Sequence, residues 1–315
     1  MQKGIDEHGL IYHSATAQSR SGVGAMSIPI NSLCIECHLR KRLALAREMG
    51  SDQQVTAYAK RILRAIADAP EEMDSTWLGA ISDSYMQEMF GLDPDRMREE
   101  KAFSNRFVLE RLPEIERRIA ASADPIYSAL QFAVLGNYLD FSALQGEVSF
   151  EALETMLDSA TELALDKDCY RQFCADLEAG TKLLYLTDNA GEIVFDRLFT
   201  ELLQKKYPHL EITFCVRGSA VSNDATREDA AVAGVRFPVI DNGTAIGGTV
   251  LQFVGQELKA AMDAAHVIVA KGMGNTESLF GCGYNVYYAF LIKCERFIQV
   301  FHKPKLTPMF IRDKK

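Results

Sequence analysis

Four short runs decide the fold: KLLYLTD at 182–188, ITFCVRG at 212–218, VRFPVID at 235–241 and HVIVAKG at 266–272. Each is apolar and partly β-branched, and each closes on a polar residue or glycine. Between them lie amphipathic stretches, IVFDRLFTELLQKKYP (193–208), ATREDAAVAG (225–234) and TVLQFVGQELKAAMDAA (249–265); Leu251, Val254 and Leu258 mark one face of the last. A further apolar run, RFIQVF at 296–301, reads as a fifth strand. Strands alternating with helices imply right-handed crossovers and a mostly parallel sheet covered on both faces. Residues 167–315 are therefore expected to form a Rossmann-like α/β domain.

Upstream the period changes. Val55, Ala59, Ile62 and Ile66 line one helix face, and Pro70 ends that run. Phe150, Leu153 and Leu157 repeat the spacing. Pro94, Pro113 and Pro125 read as breaks between helices. Residues 29–166 are expected to be a helical domain packed on the sheet. The first 28 residues, with SATAQSRSGVG at 14–24, show no sustained period and read as a loosely held extension. The fold class is thus α/β, a helical N-terminal domain on a Rossmann-like sheet flanked by helices.

Composition bounds the partners. Thirty-four Lys plus Arg against 43 Asp plus Glu leave a formal charge of −9 over 315 residues. An acidic chain is a poor general binder of nucleic acid or anionic membrane, both of which select basic faces. No run approaches the roughly 20 apolar residues of a membrane span. The first residues lack the pattern of a secretory signal, so a cytoplasmic protein is expected. Seven cysteines, an odd number, are expected to be mostly free thiols, with Cys169, Cys174, Cys215, Cys282 and Cys294 read as small buried side chains.

In parallel sheets ligands sit beyond the carboxyl ends of strands. Those ends carry Asp188-Asn189-Ala190-Gly191-Glu192, Arg217-Gly218 with Asn223-Asp224, Asp241-Asn242-Gly243, and Lys271-Gly272-Met273-Gly274-Asn275. Asp, Asn and Asp supply two carboxylates and an amide oxygen, hard donors suited to Mg²⁺ or Mn²⁺. Gly191, just before a predicted helix, would let backbone amides approach an anion, and Lys271 adds positive charge. Together they describe a phosphate site with a divalent cation. Each also has a plainer reading. Asp188 and Asn189 suit a turn or helix cap, Thr226 and Asp229 match a capping box beside Asp224, and Lys271 suits a solvated loop.

Cys34-Ile35-Glu36-Cys37, followed by His38, is a second constellation. As a zinc half-site it lacks a second pair, and as a redox pair it lacks a thioredoxin-like unit, while LRKRLALAREMG reads as the helix it enters. A structural role, a metal role and a redox role all stay open.

DNAGE (188–192), SNDAT (222–226), KGMGNTES (271–278), GNYLDF (136–141) and the leading CIEC together resemble the metal-dependent damage-control phosphatases, in particular their prokaryotic branch. The resemblance spans about Leu33 to Val300. It implies a helical part on a Rossmann-like part with one divalent cation in the cleft, held by Asp188, Asn189 and Asp224 as the catalytic set. It further implies Lys271 on the substrate phosphate, Glu192 lining the pocket, Gly191 and Asn275 in the substrate site, and Asn137 and Asp140 in support. Met273 and Thr276 depart from the family pattern, which bears on the shape of the substrate pocket. The function expected is hydrolysis of small phosphorylated metabolites, sugar phosphates or damaged phosphometabolites, with Mn²⁺ or Mg²⁺, or else Co²⁺ or Ni²⁺. With both carboxylates on the metal, Glu192 or a metal-bound hydroxide is left to activate the water. An S-adenosylmethionine-dependent methyltransferase and a noncatalytic phosphometabolite-binding protein are the rivals. The methyltransferase requires a glycine-rich first turn and an acid ending the second strand, where DNAGE has one glycine and the second strand ends in Arg217-Gly218.

Overall fold

The computed structural model describes residues 4–5, 11–12, 27–139, 155, 157–158 and 160–313. Phe150, Leu153 and Asp140 lie outside the described residues. So does most of the expected extension, of which β1 (Gly4–Ile5) and β2 (Ile11–Tyr12) pair antiparallel.

Three helices come first, α1 (Ser32–Met49), α2 (Asp52–Ala67) and α3 (Ser75–Phe90). Local chemistry sets their starts: Asn31 caps α1, Ser51 and Gln54 form a reciprocal capping box on α2, and Asp74 accepts from Thr76 and Trp77 on α3. Gly91 ends α3 at a φ of 70°, a conformation that glycine adopts without a Cβ penalty. These helices share their own core of Ala46, Val55, Tyr58, Ile62 and Met86. The face predicted from Val55 and Ile62 is the buried one.

The next helices, α4 (Arg98–Ala121) and α5 (Pro125–Leu135), belong elsewhere. Phe107, Val108, Ile115, Leu130 and Phe132 join the core that covers one sheet face, so the cores do not divide at residue 166. Pro113, expected to break a helix, lies inside α4. Apolar residues on both sides of it are buried in the same core, and that packing outweighs one missing hydrogen bond. Pro125, by contrast, opens α5, where its absent N–H costs nothing.

After α6 (Lys167–Ala179) the chain alternates: β3 (Lys182–Leu186), α7 (Glu192–Lys206), β4 (Glu211–Val216), α8 (Arg227–Val232), β5 (Val239–Asp241), α9 (Gln256–Ala264), β6 (Val267–Lys271), α10 (Gly272–Leu279), β7 (Val286–Leu291), α11 (Glu295–Phe301) and β8 (Pro308–Arg312). The sheet order is β5-β4-β3-β6-β7-β8, parallel except for β8, which runs antiparallel to β7. The four strands expected between 182 and 272 are present. RFIQVF is not a strand; it is α11, and the strands that follow β6 are VYYAFL and PMFIR. Phe297, Val300 and Phe301 recur at helical spacing, and all three pack in the second sheet core. The helix expected over 249–265 begins only at Gln256, and the KGMGN segment is itself helical rather than a loop.

Alternate residues of each strand feed two cores. Leu183, Tyr185, Phe214 and Val269 face α4, α5 and α7, whereas Leu184, Leu186, Ile268 and Tyr288 face α9, α10 and α11. All seven cysteines are free thiols. No helix among the described residues is long and apolar enough to cross a membrane.

Candidate active site

The sheet order reverses between β3 and β6, and a crevice opens at the carboxyl ends of strands where connections diverge in this way. Asp188 and Asn189 follow β3, Lys271 ends β6, and Asp224 leads into α8. Backbone bonds from Ala225 N to Asp188 O (2.7 Å) and from Ala190 N to Asn223 O (2.9 Å) lace the first two turns together, making an Asn189–Asp224 bridge. Neither predicted capping reading takes these side chains. Gly191 is the residue that precedes α7, and the capping box on α8 is made by Thr226 with Asp229. Asp188, Asn189 and Asp224 therefore line one cleft.

Behind them lies a buried charged layer. Asn137 Nδ2 donates to Asp188 Oδ2 (3.0 Å) and to Glu192 Oε2 (3.1 Å). Asn189 Nδ2 donates to Asp188 Oδ2 (2.8 Å) and Glu192 Oε2 (2.7 Å), which engages both amide protons and leaves its carbonyl oxygen for another partner. Lys271 Nζ, fully buried, is held by Glu192 Oε1 (2.7 Å), Asp196 Oδ1 (2.6 Å) and Ala133 O (2.8 Å). Tyr185 donates to the same Asp196 oxygen (2.8 Å). The structure thus separates the predicted residues that it describes. Asp188, Asn189 and Asp224 face the cleft; Lys271 and Glu192 do not, and stand behind it as an ion pair that holds Asn189.

Gly191 and Asn275 are also placed for support. The Gly191 amide, expected to meet an anion, donates to Asn105 Oδ1 of α4 (2.6 Å), and a Cβ on this residue would lie 2.9 Å from Ser104. The same Asn105 donates to Asp229 Oδ1 (3.0 Å), and Lys101 pairs with Asp229 (2.7 Å), so α4 clasps both the turn before α7 and the start of α8. Asn275 accepts from Arg217 Nη1 (3.1 Å) and Thr249 (2.8 Å), and donates to Thr187 O and Lys271 O. Thr276 is buried and bonds Gly272 O, while Met273 lines the cleft.

Sequence reading gave Arg217 no positive role, yet it sits between the two acids. Its Nε donates to Asp224 Oδ2 (2.6 Å), and its buried Nη2 lies 3.6 Å from Asp188 Oδ1 with no hydrogen-bond partner. One guanidinium serves two carboxylates, and one ammonium serves Glu192 and Asp196. Burial, then Asp224 and Glu192, push the Asp188 carboxyl well above its usual range, and burial raises Asp196 to about 7 against the pull of Lys271. Acid outnumbers base around a buried site, the condition a divalent cation relieves. The donors fit such an ion: two carboxylates and an amide oxygen, with Gly272 (φ 76°) lacking the Cβ that would overlap the Asp188 carboxylate. Among the described residues no three His, Cys, Asp or Glu side chains form a metal cluster, which also leaves Cys34, Cys37 and His38 without one.

The cleft lies between these strand ends and the α1–α3 bundle, with a volume of about 260 Å³. Lys293, just after β7, lines it, and its charge acts to lower the Asp188 pKa. Ser75, Thr76 and Asp83 of α3, Arg42 of α1 and Arg96 of the α3–α4 turn form the facing wall. Lys293, Arg42 and Arg96 carry no local motif, so only the fold brings them to the site.

An α/β protein with a charged cleft at the switch point of a Rossmann-like sheet is the class that fold and site define. The model of the damage-control phosphatase ARMT1-like domain matches residues 30–305, and the chain belongs to that family. It is 32% identical over 285 residues to an uncharacterized protein of Methanocaldococcus jannaschii, covering 85% of this chain and 90% of that one. It is 32% identical over 212 residues to a damage-control phosphatase of Archaeoglobus fulgidus, covering 66% and 72%. A crystal structure of a DUF89 family protein from Pyrococcus horikoshii superposes with a TM-score of 0.77 at 24% identity, over 91% of this chain and 99% of that one, and shows the same fold. Membership supports a phosphatase role on damaged metabolites.

Proposed function

We propose that the protein is a divalent-metal-dependent phosphatase that hydrolyses monoesters of small phosphorylated metabolites. The observation that carries this reading is the meeting of Asp188, Asn189 and Asp224 on one cleft floor, with their two carboxylates sharing a single buried guanidinium. Asp188, Asp224 and the Asn189 carbonyl oxygen would hold Mn²⁺ or Mg²⁺. When bound, the ion supplies charge neutralisation for the phosphoryl group and a more acidic water.

The chain's own residues do the rest. Lys293 brings positive charge to the phosphoryl oxygens, and α10 starts against Asp188, so its first amides add the positive end of a helix dipole. Glu192 does not take a proton from the attacking water, because it is fully buried and both oxygens are engaged. Its part, with Lys271 and Asn137, is to fix the orientation of Asn189. Arg217 holds Asp188 and Asp224 at a set separation.

The methyltransferase reading gains no support from this geometry. The first turn offers one glycine, and its amide is occupied by Asn105. The test is hydrolysis of p-nitrophenyl phosphate and a panel of sugar phosphates with Mn²⁺, Mg²⁺, Co²⁺ or Ni²⁺, comparing the parent with Asp188→Ala. Turnover that requires metal and vanishes in the variant supports the proposal. Turnover without metal, or an active variant, defeats it. Phosphate binding without any turnover would favour the noncatalytic reading.

A further inference from the structure

The cleft wall opposite the turns that carry Asp188 and Asp224 holds a cation that the phosphoryl chemistry does not use. Arg96 lies on the turn between α3 and α4 and lines the cleft. The acids that neighbour it in the chain or share its wall have partners of their own. Asp95 accepts from Arg98 Nε (2.6 Å), Asp93 Oδ1 accepts from the Asp95 amide (2.9 Å), and Asp83 forms a two-pronged pair with Arg42. Among the described residues the Arg96 guanidinium has no ion pair and no hydrogen bond to protein. An unpaired guanidinium facing a cleft is a ready partner for a carboxylate or phosphate, which it grips through a planar fork of donors.

The turn that presents it is anchored. Met97, the next residue, sets its sulfur 3.8 Å from Ser222 Oγ, and Ser222 itself lines the cleft at a φ of 48°, unusual for a residue with a side chain. Backbone held in that region marks a place whose shape the surroundings enforce. Arg96 is thereby tied to the SNDAT turn and faces the cleft from the helical side, whereas Lys293 enters from the sheet side beside Asp188.

We propose that Arg96 recognises a second anionic group on the substrate, a carboxylate or a second phosphate remote from the scissile one, and so selects doubly anionic phosphometabolites. The proposal rests on the phosphatase reading only in calling the ligand a substrate.

Three non-hydrolysable probes test it by isothermal titration to the full-length protein with Mn²⁺: propylphosphonate, 3-phosphonopropionate and propane-1,3-bisphosphonate. The parent is expected to bind at least one doubly anionic probe about tenfold tighter than propylphosphonate, the scale of one charge-assisted pair. Arg96→Gln should remove that preference and leave the affinity for propylphosphonate unchanged. Comparing the two doubly anionic probes tells carboxylate from phosphate. A parent without preference, or a preference that survives Arg96→Gln, overturns the inference. Since no probe is turned over, failure of the phosphatase reading shows separately, as absent metal-dependent hydrolysis of p-nitrophenyl phosphate.

Discussion

The two sides of the cleft are built on opposite plans. The strand-end side is a dense layer of buried, mutually bonded groups: the predicted Asn137, Asn189, Glu192 and Lys271 form one connected set with Asp196. The helical side belongs to a bundle with its own core, and it offers the cleft half-buried side chains such as Arg42 and Arg96. Layers of the first kind fix geometry, because moving one member strands a buried charge. Walls of the second kind can vary without disturbing the chemistry. Under the proposed function, the contrast would place catalysis on one side and selection on the other.

Substitutions can break or sharpen that division. The largest effect belongs to the floor. Asp224→Ala should lower turnover by at least roughly a thousandfold and, by leaving Arg217 without its 2.6 Å partner, cost about 3 kcal/mol of stability. Steady-state kinetics and urea unfolding measure the two. A variant that keeps a tenth of the parent activity would show that the floor is not catalytic. Gly272→Ala comes next: the new methyl overlaps Asp188, and a φ of 76° strains any Cβ, so activity should fall on the order of a hundredfold with a loss of about 2 kcal/mol.

Asn105→Ala removes the clasp between Gly191 and Asp229 without touching the cleft. It should lower kcat roughly tenfold and destabilise by about 2 kcal/mol. Unaltered kcat would mean that the turns hold themselves. The last effect falls on stability alone and lies where the two sides meet. Glu277, bonded to Ser75, is raised by burial from 4.5 to about 8. The native state therefore keeps a proton that the unfolded chain releases, and this group makes stability fall as pH rises from about 4.5 to 8. Glu277→Gln should flatten that dependence by roughly 3 kcal/mol between pH 5 and 8 in urea titrations.

Much of this was legible in the sequence because the signals are local. Period and strand-end polarity locate β3, β4, β5 and β6 and bring Asp188, Asn189 and Asp224 to one crevice. Signals that depend on packing were not. VYYAFL is buried on both faces and shows no alternation, while RFIQVF is as short and apolar as a strand, and only its contacts make it a helix. Lys271 looks like a loop cation until α5 and α7 close around it, and whether a lysine meets substrate or a buried acid is settled by burial. Arg217, Asn105 and Lys293 act through partners distant in the chain, for which no spacing rule exists.

Main-chain hydrogen bonds join the turns that carry Asp188 and Asp224. If the protein holds the proposed cation, those bonds give its socket a frame of its own, and the ion would have little folding to drive. On that proposal, chelation should remove the ion without melting the protein, and exchanging one metal for another would be a matter of supply and ligand exchange rather than of refolding.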